Sequence, residues 1–147
     1  MLKLYMDTCA LKRPFDDLEQ GRIYIESQAV IRILCGVELR VIRVFNSEAL
    51  VYENRNNPNP VRRERVAQIL RRFGEPAIAT DVIFRRAEFL VKKAGISDLD
   101  ALHLAFACHL AVDYFITCDD NLIHCVRKLD FNVIVMNPLL FVKENNL

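Results

Sequence analysis

The sequence predicts one α/β domain, a central and mainly parallel sheet with helices packed on both faces, giving three layers (α/β/α). Four short apolar runs, in "LKLYM", "LRVIRVF", "DYFIT" and "NVIVM", have the length of strands. The segments between them are long enough, and helical enough in period, to serve as the crossovers that parallel strands require. Composition sets the scale: 147 residues, 52% hydrophobic and 27% charged, suit one globular domain with a sizeable core and exclude general disorder. The domain is expected to occupy residues 1–147, without a linker, a repeat or a low-complexity segment.

Residues 2–6 predict the first strand, and "RPFDDLEQG" after it carries loop residues. The spacing of Ile23, Ile25, Ala29, Val30, Ile33, Leu34 and Val37 predicts a long helix over 22–39. Alternation in "LRVIRVF" predicts a second strand at about 41–45, and Ser47 is placed to cap a short helix, "EALVYENR", that ends in "NNPNP". Val66, Ile69, Leu70 and Phe73 fall on one side of a helix from Val61 to Phe73. "EPAIAT" predicts a loop or a short extended piece, and 81–94 an amphipathic helix stopped by Gly95. A mostly apolar helix from Leu99 to Ala111 follows, then a buried strand in "DYFIT", a helix at about 120–129 and a last strand in "NVIVM".

Several function classes are excluded at this level. The apolar runs are too short, or too interrupted by charge, to span a bilayer, and "MLKLYMDTC" lacks the apolar segment of a signal peptide, so a cytoplasmic protein with no membrane contact is expected. Five cysteines form no CxxC pair, which argues against a disulfide framework or a zinc knuckle. There is no glycine-rich phosphate loop, which argues against a P-loop NTPase. The net charge is +1, but Arg55, Arg62, Arg63, Arg65, Arg71 and Arg72 crowd one segment, where RNA phosphates or a solvated helix face are the two readings.

The acids carry the chemistry. In a parallel α/β sheet, ligands gather outside the carboxyl ends of the strands, where the strand order reverses. Asp7 and Asp119 each follow a predicted strand, Asp100 begins a helix, and Glu53 lies on the short helix after strand two. Four carboxylates in one crevice repel one another unless a cation lies between them. Mg²⁺ takes oxygen ligands and is held by one or two carboxylates with waters and substrate phosphates, a site suited to phosphodiester hydrolysis. Each acid also has a plain structural reading. Asp100 lies in a capping-box-like "SDLD", and Thr117 or Asp119 can cap the 120–129 helix. No capping sequence is evident for Asp7, which needs a partner if it is buried. Taken together, the four acids point to a shared metal site.

These residues also resemble a family. "YMDTCALKRPFDD", "SEALVYE", "SDLDALHLAFA" and "DYFITCDDNL", spread over nearly the whole chain, look like the PIN domain (PilT N-terminus type). The resemblance implies a three-layer α/β/α metal-dependent ribonuclease of the VapC-like single-domain kind, acting on single-stranded or structured RNA with Mg²⁺ or Mn²⁺. It further implies a homodimer, and the role of toxin in a toxin–antitoxin pair, with an antitoxin protein as partner. Carried over by motif, the catalytic and metal-binding residues are Asp7 in "MDT", Glu53 in "VYE", Asp100 in "LDALHLA" and Asp119 in "TCDD", with Thr117 as the hydroxyl residue two before the last acid. Lys12 stands where close relatives often have Asn before "RPF", and is placed to contact phosphate or shift metal affinity. Glu48 is the alternative to Glu53, which the distance after Ser47 favours.

Other readings compete with this one. His103, His109 and His124 have no paired ligand at a recognisable spacing and read as structural. "YIESQAVIRIL" reads as core, with a dimer surface or an antitoxin groove as the alternative. An aspartyl phosphatase would need a second Asp where Cys9 stands, and a phosphorylated receiver a lysine where Asn137 stands. The remaining alternative is a catalytically silent PIN-like module that binds RNA or protein.

Overall fold

The structure, a computed structural model, describes residues 1–130 and 132–147. The chain begins with β1 (Leu2–Met6), a one-turn helix α1 (Thr8–Leu11) and a 3-10 turn (Arg13–Phe15), then α2 (Gly21–Glu38). Next come β2 (Ile42–Ser47), α3 (Glu48–Arg55), α4 (Pro60–Phe73), β3 (Gly74–Ala77) and α5 (Asp81–Ala94). The rest is α6 (Asp98–His109), β4 (Tyr114–Ile116), α7 (Asp120–Val126), β5 (Ile134–Met136) and α8 (Pro138–Glu144).

The five strands form one sheet in the order β3-β2-β1-β4-β5, and every pairing is parallel. Helices cover both faces, so the domain is the expected three-layer α/β/α. On the helix layers, α2 packs on α8, and α5 and α3 pack on α6. In central β1 the run Leu4–Tyr5–Met6 is apolar and wholly buried, because a parallel strand covered on both faces has no solvent side there. The core gathers around them from Phe115 and Ile116 of β4, Leu104 and Phe106 of α6 and Phe141 of α8. Tyr5 stacks on Phe115 with ring centroids 5.3 Å apart.

Capping chemistry fixes where helices start. Ser47, Asn59, Thr80, Ser97, Asp119 and Asn137 each accept a backbone N–H in the first turn of α3, α4, α5, α6, α7 and α8. This moves several expected boundaries. The second strand runs on to Ser47 rather than ending near residue 45, so one residue closes β2 and caps α3. The apolar helix spans Asp98–His109 rather than 99–111, since Ser97 caps it and Ala111 has left the helical region at φ 51°. The helix expected at 120–129 ends at Val126. The extended piece foreseen in "EPAIAT" is an edge strand, β3, with Pro76 opposite Asn46. An edge tolerates a residue that lacks an N–H. The turns after Asp7, and α8, lay outside the sequence expectation.

Gly74 marks a close approach at the corner where α4 runs into β3. A Cβ there would lie 2.7 Å from Asn46 Cβ and 2.9 Å from the Leu70 carbonyl oxygen. At Gly36 the close atom is Ile42 Cδ1, at 2.6 Å, the movable end of a side chain. Gly74→Ala is therefore expected to cost about 1–3 kcal/mol in urea unfolding, while Gly36→Ala costs less because the gain in helix propensity, up to ~1 kcal/mol, offsets the crowding. Equal costs would contradict the tight β2–β3 corner.

Candidate functional site

The strand order reverses between β1 and β4, which opens a crevice at their carboxyl ends. Asp7 is the first residue beyond β1, and Asp119 lies three residues beyond β4. The Asp7 N–H donates to the Ile116 carbonyl at 3.1 Å, continuing the ladder and holding the acid against β4. Its Oδ1 accepts the Ala10 N–H at 3.0 Å and so caps α1, a role the sequence had not suggested. Asp119 uses its Oδ1 in the same way, accepting from Asn121 at 2.9 Å and Leu122 at 3.2 Å, while Thr117 Oγ1 accepts the Asp119 N–H at 3.1 Å. The capping reading of Asp119 is thus correct as geometry, and it leaves Oδ2 of each aspartate without a backbone donor among the described residues.

Asp7 is only 5% exposed. Burial pushes its carboxyl up to about 8, with the Cys9 thiol adding to the rise; the Thr117 hydroxyl, the Ala10 N–H and His103 work against it. Cys9 itself is drawn down to about 7, chiefly by a hydrogen bond with Cys118, whose own thiol is pushed up by that contact and by burial.

The other two acids arrive from the helices. Glu53 is half-buried on α3, with Oε1 3.4 Å from His103 Nε2 on α6. Burial pushes the Glu53 carboxyl up, but His103, Thr8 and Lys12 outweigh it and leave the group below its ordinary value. Thr8 Oγ1 nonetheless has no hydrogen-bond partner among the described residues. Asp100 is raised by burial and by the charges of Asp119 and Glu53, against the pull of Ser97 and His103. Ser97, not Asp100, caps α6. Asp7, Glu53 and Asp100 all feel His103, and Asp100 feels Asp119, so the four acids share one neighbourhood. Glu48 is turned elsewhere: exposed, its Oε2 accepts the Ala79 N–H at 3.3 Å. Among the described residues, no three acidic, histidine or cysteine side chains stand close enough to form a ready-made metal cage.

A buried ion-pair network braces this end of the sheet. Glu26, on α2, is 2% exposed and takes Arg13 Nε at 3.0 Å and Arg22 Nε at 3.4 Å. Arg22 reaches on to Asp120 at 2.8 Å and to the Cys118 carbonyl, so α2 is tied to the loop that carries Asp119. The arginine-rich segment is largely spoken for: Arg62 bonds Phe15 and Asp16, Arg63 bonds Asn57, Arg71 pairs with Glu64 and Arg72 with Glu38. His103, read from sequence as structural, is the residue that reasoning undervalued. Its signal was the three-residue spacing from Asp100, which puts both on one helix face.

The chain is a three-layer α/β/α domain with Asp7 and Asp119 at the switch point of its parallel sheet. No family model matches the chain, and no curated protein does. Among solved structures, FitAcB from Neisseria gonorrhoeae is similar, with a TM-score of 0.56 over 92% of this chain and 97% of that one, at 17% sequence identity. At that identity the likeness speaks for the fold.

The raised Asp7 value has a consequence for stability. Its folded value of about 8 exceeds the unfolded ~3.9, so the folded state holds the proton more tightly between those values. Metal-free protein should therefore lose stability as pH rises from about 4 to about 8, the loss reaching the order of several kcal/mol. Asp7→Asn keeps the α1 cap and removes the charge, so in chelator it should unfold at higher urea than the parent at pH 8, with the advantage fading towards pH 4. A variant equally weakened at both pH values would contradict this account of Asp7.

Proposed function

We propose that the chain is a metal-dependent ribonuclease that hydrolyses RNA phosphodiester bonds, with Asp7, Glu53, Asp100 and Asp119 as its metal-binding and catalytic residues and Mg²⁺ or Mn²⁺ as its cofactor. The observation that carries the reading is Asp7, a buried carboxylate at the switch point of the sheet that forms no salt bridge among the described residues and has three further acids nearby. A cation removes the cost of ionising such a group. The donor set fits Mg²⁺ or Mn²⁺, since all four side chains offer oxygen and such ions are held by one or two carboxylates plus water and phosphate.

An ion held by Asp7, Glu53, Asp100 and Asp119 would supply Lewis acidity, to water as nucleophile and to the leaving oxygen of a phosphodiester. The protein's own part is placement. Asp7 and Asp119 are held by their capping bonds, and the Glu26 network holds the loop beneath Asp119. Lys12, beside Glu53, brings a positive charge to a crevice that would otherwise repel the RNA backbone.

The resemblance to VapC-like members supports a toxin paired with an antitoxin. Tyr24, Ile25 and Ile31 of α2, exposed by 51%, 46% and 42%, support an apolar contact with a second copy or a partner. One observation favours the second reading, a silent binding module: the acids are not gathered as a ready-made cage.

Purified protein should cleave varied RNA pools, lose the activity in chelator and regain it with Mg²⁺ or Mn²⁺, with calcium a poor substitute. Asp7→Asn and Asp119→Asn should each cut the rate at least roughly a hundredfold. The same preparation should scatter light as a dimer at tens of micromolar, a concentration at which about micromolar affinity populates it. Full activity in Asp7→Asn overturns the mechanism, and Mn²⁺ binding without cleavage would leave the silent module.

A further inference from the structure

We propose that His103 is a positioning residue: Tyr5 and Ser47 hold its imbedded imidazole so that Nε2–H faces the Glu53 carboxylate and keeps that acid turned into the crevice. The inference rests on the ribonuclease reading only in taking Glu53 as a metal ligand.

Its basis is a chain of buried polar contacts that joins three elements. The Leu50 N–H donates to Ser47 Oγ at 3.1 Å. Ser47 Oγ lies 2.6 Å from the Tyr5 hydroxyl, and that hydroxyl lies 2.7 Å from His103 Nδ1. Ser47 and Tyr5 are 0% exposed and His103 is 1% exposed, so water cannot replace any of these partners. On the far side of the ring, Nε2 faces Glu53 Oε1 at 3.4 Å. That is longer than a formed hydrogen bond, and Nε2 has no other partner among the described residues.

Counting protons sets the direction of the chain. Ser47 and Tyr5 carry one hydroxyl proton each, and a neutral imidazole carries one on either nitrogen. If the proton sat on Nδ1, His103 would donate to Tyr5 and Tyr5 to Ser47. The Ser47 proton would then have no acceptor among the described residues, and a bare Nε2 lone pair would face a carboxylate. If Nε2 carries the proton, Ser47 donates to Tyr5, Tyr5 donates to Nδ1, and Nε2–H is left for Glu53. The Ser47 and Tyr5 protons then each have an acceptor, as buried polar groups require, and Nε2–H is aimed at the Glu53 carboxylate. The chain starts at the cap of α3 and ends on Glu53 of the same helix, so β1 and α6 together set the direction of one α3 side chain.

Two measurements test this without relying on RNA cleavage. In metal-free protein labelled with ¹⁵N-histidine, the His103 shifts should report a protonated Nε2 and a bare Nδ1, and Tyr5→Phe, which keeps the ring on Phe115, should disturb that pattern. A protonated Nδ1 in the parent protein overturns the proposal. In Mn²⁺ titrations followed by electron paramagnetic resonance, Tyr5→Phe should weaken binding by about tenfold. In a Glu53→Gln background the same change should shift affinity by less than about twofold, because its route to the ion is gone. An equal effect of Tyr5→Phe in both backgrounds overturns the proposal, since the relay would then not act through Glu53. Mn²⁺ binding with the expected coupling but no cleavage would fail the ribonuclease reading and leave this one standing.

Discussion

The pairing of β1 with β4 is the constraint on which the site depends. Met6 stands beside Ile116, and the next N–H, that of Asp7, continues the ladder to the Ile116 carbonyl. That bond carries a carboxylate past the buried end of the strand, Leu4–Met6, into a buried position where it forms no salt bridge among the described residues. Strand order does the rest. Because β2 and β3 lie to one side of β1, and β4 and β5 to the other, the connections diverge at this boundary and leave it open.

The acids at this end of the sheet are accommodated in two ways. Backbone donors of α1 and α7 take one oxygen of Asp7 and of Asp119, so neither group is without hydrogen bonds. The nearby buried acid Glu26 is treated differently, being paired with Arg13 and Arg22. A buried carboxylate with an arginine at 3.0 Å is a structural tie, whereas Asp7 has no such partner among the described residues and burial holds its carboxyl up at about 8. That contrast is what the proposed metal role of Asp7 rests on.

Much of this was legible in the sequence, for identifiable reasons. Strands covered on both faces read as apolar runs, and long amphipathic helices show their period, so β1, α2 and α5 stood out. Asp7 stood out because an acid after such a run has no local explanation. The one-turn α1 was missed because four residues cannot show a period, and its cap is Asp7 itself. The edge strand β3, "GEPA", carries no alternation, and only its pairing with Val44–Ser47 makes it a strand. The start of α8 was signalled by Asn137 and Pro138, a cap followed by a proline at the first helical position, but it is too short to show a period. His103 read as a lone histidine on an apolar helix because its partners are remote in sequence: the Tyr5 hydroxyl is 98 positions away.

The central claim is that the acids at the end of β1 and β4 bind a divalent cation together. Anomalous scattering from crystals soaked in manganese tests it most directly. The account predicts a manganese peak in the crevice, within coordination distance of Asp7 and of at least one of Glu53, Asp100 and Asp119. With manganese in excess, a map with no peak at Asp7, or with peaks only at surface acids such as Glu48, would contradict it.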